Sequence, residues 1–184
     1  MEENKKESGF WELLQYAAIA ILIVVPFRVF IAQPYIVNGS SMIPTFEDGD
    51  YLIVDQISKR FKEPERGSVI IMRYPLDRSK FFIKRLIAFP NEKLEIKNGK
   101  VYIYNNESDE PLILEEEYVK FEKKDNYSIT LGGDEYFVMG DNRAGSSDSR
   151  IWGPLPRKNI IGNPILRLLP LSSVGYMPGS IKSR

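Results

Sequence analysis

The sequence contains no cysteine and no histidine among its 184 residues. Without cysteine there is no disulfide framework, no thiol nucleophile and no thiolate metal site. Without histidine there is no Ser-His-Asp triad, no Cys-His pair and none of the common zinc sites. Any hydrolytic chemistry must then take its base from Lys, Asp, Glu or Tyr. Lack of cysteine fits any compartment and identifies none. Net charge is missing too, because 25 basic and 25 acidic residues cancel. With no basic excess to hold a run of phosphates, nucleic acid is not an expected partner. Repeats and low-complexity tracts are also absent. What is present is 43% apolar residues, enough for one compact domain with a sizeable core.

Part of that apolar content is concentrated near the N-terminus. Leu13 to Phe27 carries no charge, and extension to Ala32 adds only Arg28. At about 1.5 Å per residue, roughly twenty helical residues cross the ~30 Å of a bilayer core. The pattern predicts a transmembrane helix over 13–32. Trp11 and Tyr16 lie at one end and Tyr35 at the other, as interfacial rings do. Arg28 sits near enough to the far end to snorkel, and Pro26 kinks the helix or ends it early. A buried core helix competes, since the uncharged stretch is short for a span. No A-x-A cleavage site follows, so a removed leader fits poorly. The run is apolar on every face, so a surface amphipathic helix does not fit. Lys5 and Lys6 precede the run, and the next basic residue after Arg28 is Lys59. That bias places residues 1–12 in the cytoplasm and 33–184 outside it.

Beyond a short link over 33–40, the pattern is mostly strand. Tyr51–Val54, Val69–Met72 and Phe81–Phe89 are apolar runs of strand length. Leu94–Lys97 and Lys100–Tyr104 flank Asn98-Gly99, a strong hairpin signal. Tyr127–Thr130 and Tyr136–Met139 flank Gly132-Gly133, which predicts a second hairpin. Glu115–Lys124 mixes charge with Tyr118, Val119 and Phe121 and reads as a helix turn or a ragged edge strand, or more plainly as a solvated face. The expected fold is mostly β: an antiparallel, barrel-like domain, with a small β-rich extension near 91–135.

Three local patterns carry chemistry. Asn38-Gly-Ser-Ser41-Met-Ile-Pro-Thr45 reads as a tight loop whose hydroxyls either bond backbone or react. In the strand around Phe81–Ile87, Phe82, Lys84 and Leu86 share a face and Arg85 takes the other. A Lys between apolar neighbours either snorkels, pairs with an acid, or has its pKa lowered by burial. Lowered by ~3 units, at a cost of roughly 4 kcal/mol, its amine would be neutral enough to deprotonate a nearby serine. The third pattern is Met139-Gly-Asp-Asn-Arg143 with Ser146-Ser-Asp-Ser-Arg150. Asp141, Arg143, Asp148 and Arg150 there suit mutual ion pairs. Interleaved arginines argue against a metal site.

Taken in order, Ser-Met-x-Pro-Thr, Lys-Arg before a Pro, and Gly-Asp-Asn-Arg with Ser-x-Asp-Ser-Arg resemble the type I signal peptidases, in their bacterial, Gram-positive-like form. Arg66-Gly-Ser-Val69 and the Gly162–Gly175 segment resemble further parts of that family. The resemblance implies a membrane-bound serine endopeptidase of all-β fold that needs no cofactor. It makes Ser41 the nucleophile and Lys84 the general base. Ser146 would orient the Lys84 amine, and Gly140 would stay small to leave room. Asp148 with Arg150, and Arg85 with Asp141, would form supporting pairs. The Ser41 backbone N–H would face the oxyanion. Gly39 stands where some members carry a second oxyanion donor, and Ser68 stands where many carry Asp. The expected partners are signal peptides of exported preproteins, the bilayer, and the secretion machinery. Small residues would be read by shallow apolar pockets beside an added strand, with Val37 and Ile83 as wall candidates. Three Asn-x-Ser patterns, at Asn38, Asn106 and Asn126, read as chance. A self-cleaving repressor-type peptidase and a catalytically silent membrane-anchored β module are the competing readings.

Overall fold

A computed structural model describes residues 3–26, 32–105 and 110–181. Helix α1 spans Glu3–Pro26, so the expected cytoplasmic tail is helical from Glu3. Ala, Leu and Glu favour the helix. The expected span over 13–32 is corrected at its far end. Residues 27–31 lie outside the described residues, and Ala32 already belongs to strand β1, Ala32–Ile36. Among the described residues no helix is long and apolar enough to cross a membrane. The core-helix alternative also fails, because Phe10, Trp11, Leu13, Tyr16, Ile19 and Leu22 are all exposed.

The rest is antiparallel sheet. β2 is Tyr51–Asp55, β3 Val69–Tyr74, β4 Asp77–Ala88, β5 Lys93–Lys97 and β6 Lys100–Tyr104. β7 is Leu112–Ile113, β8 Tyr127–Thr130, β9 Glu135–Met139, β10 Leu155–Pro156, β11 Ile160–Leu169 and β12 Gly175–Tyr176. Between β9 and β10 a single turn of helix, α2, covers Ser149–Trp152. An eight-stranded sheet runs β1-β2-β11-β3-β4-β9-β10, with β12 on β11. Its outer strands do not pair, so the expected barrel is an open sheet. A four-stranded sheet runs β7-β6-β5-β8.

β5 and β6 alternate buried and outward residues, as one-sided sheets do. Their inner face (Leu94, Ile96, Val101, Ile103) packs on Ile87, Phe137 and Met139 of the large sheet. The turn between them has positive φ at Asn98 and Gly99, the geometry an Asn-Gly pair adopts readily. The second hairpin is corrected. Gly132-Gly133 does turn the chain, but β8 pairs β5 in the small sheet while β9 pairs β4 in the large one. The two strands lie in different sheets that meet across one core, to which β8 brings Tyr127 and Ile129 and β9 brings Phe137 and Met139.

Candidate active site

The loop after β1 is tied at its base by Val37 N–H to Asp50 O, 2.9 Å, and Gly49 N–H to Val37 O, 2.9 Å. Met42 and Phe46 are fully buried and pin it to the core beneath. Between these anchors the chain bends through Gly39, whose φ of +94° suits glycine. Ser41 therefore sits on a held loop. Opposite it, β4 passes from an exposed first half to a second half buried on both faces. Lys84 lies in that buried half, paired in register with Ile70. Its Nζ donates to Ser41 Oγ at 2.8 Å and to its neighbour's carbonyl, Ile83 O, at 3.0 Å. The Phe82 ring lies 5.3 Å from the same nitrogen.

Lys84 is only 3% exposed. Burial pushes its ammonium down to about 8, while the charges of Asp148 and Asp141 pull it back up. The amine is thus poised to gain or lose a proton near neutral pH. A cavity of about 320 Å³ opens in front of the pair. Val37, Gly39, Ile83, Tyr35, Ile71 and Phe81 are among its lining residues. Asn38, Ser40 and Ser147 also line it, so apolar walls and polar groups together surround the Ser41 hydroxyl and the Lys84 amine, an arrangement suited to acyl transfer.

The family model described as signal peptidase, peptidase S26, matches residues 10–169. This chain belongs to the signal peptidase family. A probable signal peptidase I-1 of Synechocystis is 36% identical over 86% of this chain and 82% of its own length. A signal peptidase I P of Bacillus subtilis subsp. natto is 31% identical over 95% and 97% respectively. The solved signal peptidase I of Enterococcus faecalis is 26% identical, with a TM-score of 0.48 over 55% of this chain and 97% of that one. The chain is accordingly a serine peptidase, a hydrolase that removes signal peptides from preproteins.

In this signal peptidase the sequence-derived ion pairs both form. Arg85 Nε and Nη2 reach Asp141 Oδ1 and Oδ2 at 2.8 and 2.6 Å, with both side chains buried. Arg150 Nε and Nη2 reach Asp148 Oδ1 and Oδ2, each at 2.8 Å. Burial works against the Asp148 charge. Arg150 and the Gly140 N–H (3.1 Å) outweigh it and hold the carboxyl below its ordinary range. At Gly140 a Cβ would overlap Ser146 Oγ and the Ser41 carbonyl oxygen.

The expected contact of Ser146 with Lys84 is not made. The Ser146 hydroxyl is buried and has no hydrogen-bond partner among the described residues, because Lys84 Nζ turns to Ser41 Oγ and Ile83 O instead. Its dipole still favours the charged form of Asp148, without the alignment of a hydrogen bond. Ser68, the other departure from the family pattern, likewise has a buried hydroxyl without a partner.

Sequence reasoning missed four further residues. Asn142 donates its N–H to Ser41 O at 3.0 Å and its Nδ2 to Ser40 O at 3.1 Å, tying the third motif to the first. Thr45 Oγ1 donates to Asp141 Oδ2 at 2.5 Å. Both stood inside quoted motifs, so position was the available signal. Glu116 and Tyr118 belong to the stretch expected to be a solvated face, yet both turn inward onto Arg143 and Arg85. Their inward turn is set by contacts with residues distant in sequence, which local charge patterning does not register.

Proposed function

We propose that Ser41 is the nucleophile and Lys84 the general base with which this signal peptidase cuts preproteins. The observation that carries the reading is the 2.8 Å contact of a buried Lys84 Nζ with Ser41 Oγ. The neutral amine accepts the Ser41 proton as Oγ attacks the scissile carbonyl. The tetrahedral oxyanion is met by the Ser41 backbone N–H, which makes no hydrogen bond within the described residues. The ammonium then returns its proton to the leaving amine, and an ester joins Ser41 to the signal peptide. Lys84 next takes a proton from water, which hydrolyses that ester and restores the hydroxyl. Gly39 offers no side-chain donor to the oxyanion. Its N–H is already engaged by Asp48 Oδ1 at 2.7 Å.

The preprotein is read as an added strand along the cavity, with small residues seated against Val37 and Ile83. Helix α1 and the residues after it anchor the chain in a bilayer with the N-terminus cytoplasmic. Residues 33–184 then act on the outer face, with 91–135 as a small sub-domain. Exposed apolar side chains along α1 support the anchor.

Processing of a detergent-solubilised preprotein by wild type, Ser41→Ala and Lys84→Ala tests the pair. Both variants should lose at least about 1,000-fold in kcat/KM while keeping their fold. Processing by either variant at the wild-type rate removes the assignment.

A further inference from the structure

Residues 114–126, between β7 and β8, contain no regular element beyond one bridge from Phe121 to Asn142. Leu114 packs on the core between the sheets and Asp125 pairs with Arg150 at 2.9 Å, while Glu116 and Tyr118 reach two further arginines. Glu116 Oε2 and Oε1 accept from Arg143 Nη1 and Nη2 at 2.8 and 2.5 Å. The Tyr118 hydroxyl donates to Glu116 Oε1 at 2.7 Å. Its ring lies against the Arg85 guanidinium, 4.0 Å from carbon to centroid, and 6.0 Å from that of Arg143. One carboxylate and one ring thus hold two guanidinium groups together.

Both arginines lead to the reacting pair. Arg85 follows Lys84 in β4 and fixes Asp141. Arg143 Nε donates to Gly140 O at 3.0 Å, in the chain that crowds Ser41. Between them Asn142 bonds the backbone of Ser41 and Ser40, and Ala144 N–H donates to Phe121 O at 3.2 Å. The 116–121 strap is therefore two contacts from the nucleophile and one residue from the base.

Charge explains why the strap matters. Burial disfavours the Arg143 cation, and Glu116 is what chiefly answers it. Asp141 is the next anion acting on Arg143. Without Glu116, Arg143 competes with Arg85 for Asp141, and the bidentate Arg85–Asp141 geometry behind Lys84 is lost. Without the Tyr118 ring, Arg85 loses its packing face.

We propose that Glu116 and Tyr118 are positioning residues of this peptidase, locking Arg143 and Arg85 so that Ser41 stays in register with Lys84. The proposal rests on the Ser41–Lys84 reading above.

The test uses the full chain in detergent with a preprotein substrate, recording kcat, KM and Tm together. Folded Glu116→Gln and Tyr118→Leu should each lose about tenfold or more in kcat, with KM within about threefold, as expected for misplaced reacting groups. Tyr118→Phe keeps the ring and should stay within about threefold of wild-type kcat. Exposed Glu122→Gln is the control and should be unchanged. Wild-type kcat in folded Glu116→Gln or Tyr118→Leu overturns the proposal, as does a rise in KM alone. Should Glu116→Gln not fold, the Tyr118 pair decides: equal kcat in Tyr118→Leu, Tyr118→Phe and wild type overturns it. Activity retained by Ser41→Ala would instead strike the underlying dyad. Inactive Ser41→Ala beside fully active Tyr118→Leu would strike the strap alone.

Discussion

Lys84 carries its amine into the protein interior, and burial of an ammonium opposes folding. Its folded-state pKa of about 8 stands below the ordinary 10.5. At about 1.36 kcal/mol per unit, that difference is a penalty of about 3 kcal/mol wherever both states are protonated. The unfolded chain binds the extra proton between pH ~8 and ~10.5, so stability rises with pH across that window. Below it the penalty is complete, and above it the penalty is gone. Lys84→Met should therefore abolish processing and yet be more stable at pH 7, by roughly 1–3 kcal/mol, with the gain fading by about pH 10.5. Thermal melts of both proteins at the two pH values check this. No gain at pH 7 would mean that the amine is hydrated. If Lys84 is the base proposed above, kcat/KM of the wild type should climb with pH along an acid limb near pH 8, as the ammonium yields its proton.

At the level of elements, the strands that define the site were legible and those that complete the sheet were not. β2, β3 and the buried half of β4 are continuous apolar runs, and Lys84 stood out inside one of them. β1 was read as a link because its five residues, Ala32–Ile36, contain Gln33 and Pro34. As an edge strand it tolerates the proline, which has no N–H to give. β11 is the longer omission. Gly162, Asn163 and Pro164 interrupt its ten residues and look like a turn. In the folded chain the interruption is accommodated by register shifts against both β3 and β2. Such bulges let one strand serve two neighbours. Gly162 is there for close approach, since a Cβ would overlap the Asp55 carbonyl oxygen of β2. Gly162→Ala should push β11 from β2 and cost about 2–4 kcal/mol, read as a lower midpoint in urea. An unchanged midpoint would mean that the backbone relaxes freely there. The supporting ion pairs were legible because both partners lie in quoted motifs. The Glu116–Arg143 pair was not, because it spans the small sheet's connection and the catalytic loop.

For the molecule as a whole, the unresolved tension is a helix whose described apolar side chains face outward. From Phe10 to Leu22 the large side chains of α1 are exposed, Leu22 at 75% and Tyr16 at 70%. Water is a poor solvent for such a surface, and the sheet core is already filled by its own three apolar clusters. Since the preproteins it cuts carry apolar signal peptides, one bilayer holding both enzyme and substrate would bring scissile bond and Ser41 together. The full chain should then float with lipid vesicles in a density gradient. Ile19→Asp combined with Leu22→Asp should release it, because each Asp costs about 2.5–3.5 kcal/mol at the centre of a bilayer. The double variant should still cut a short soluble peptide in detergent within about twofold of wild type, since α1 lies outside the Ser41–Lys84 cavity. Vesicle flotation undiminished by both aspartates would move the membrane contact off α1 and onto the rest of the chain, where Leu168, Leu169 and Leu171 are among the exposed apolar side chains.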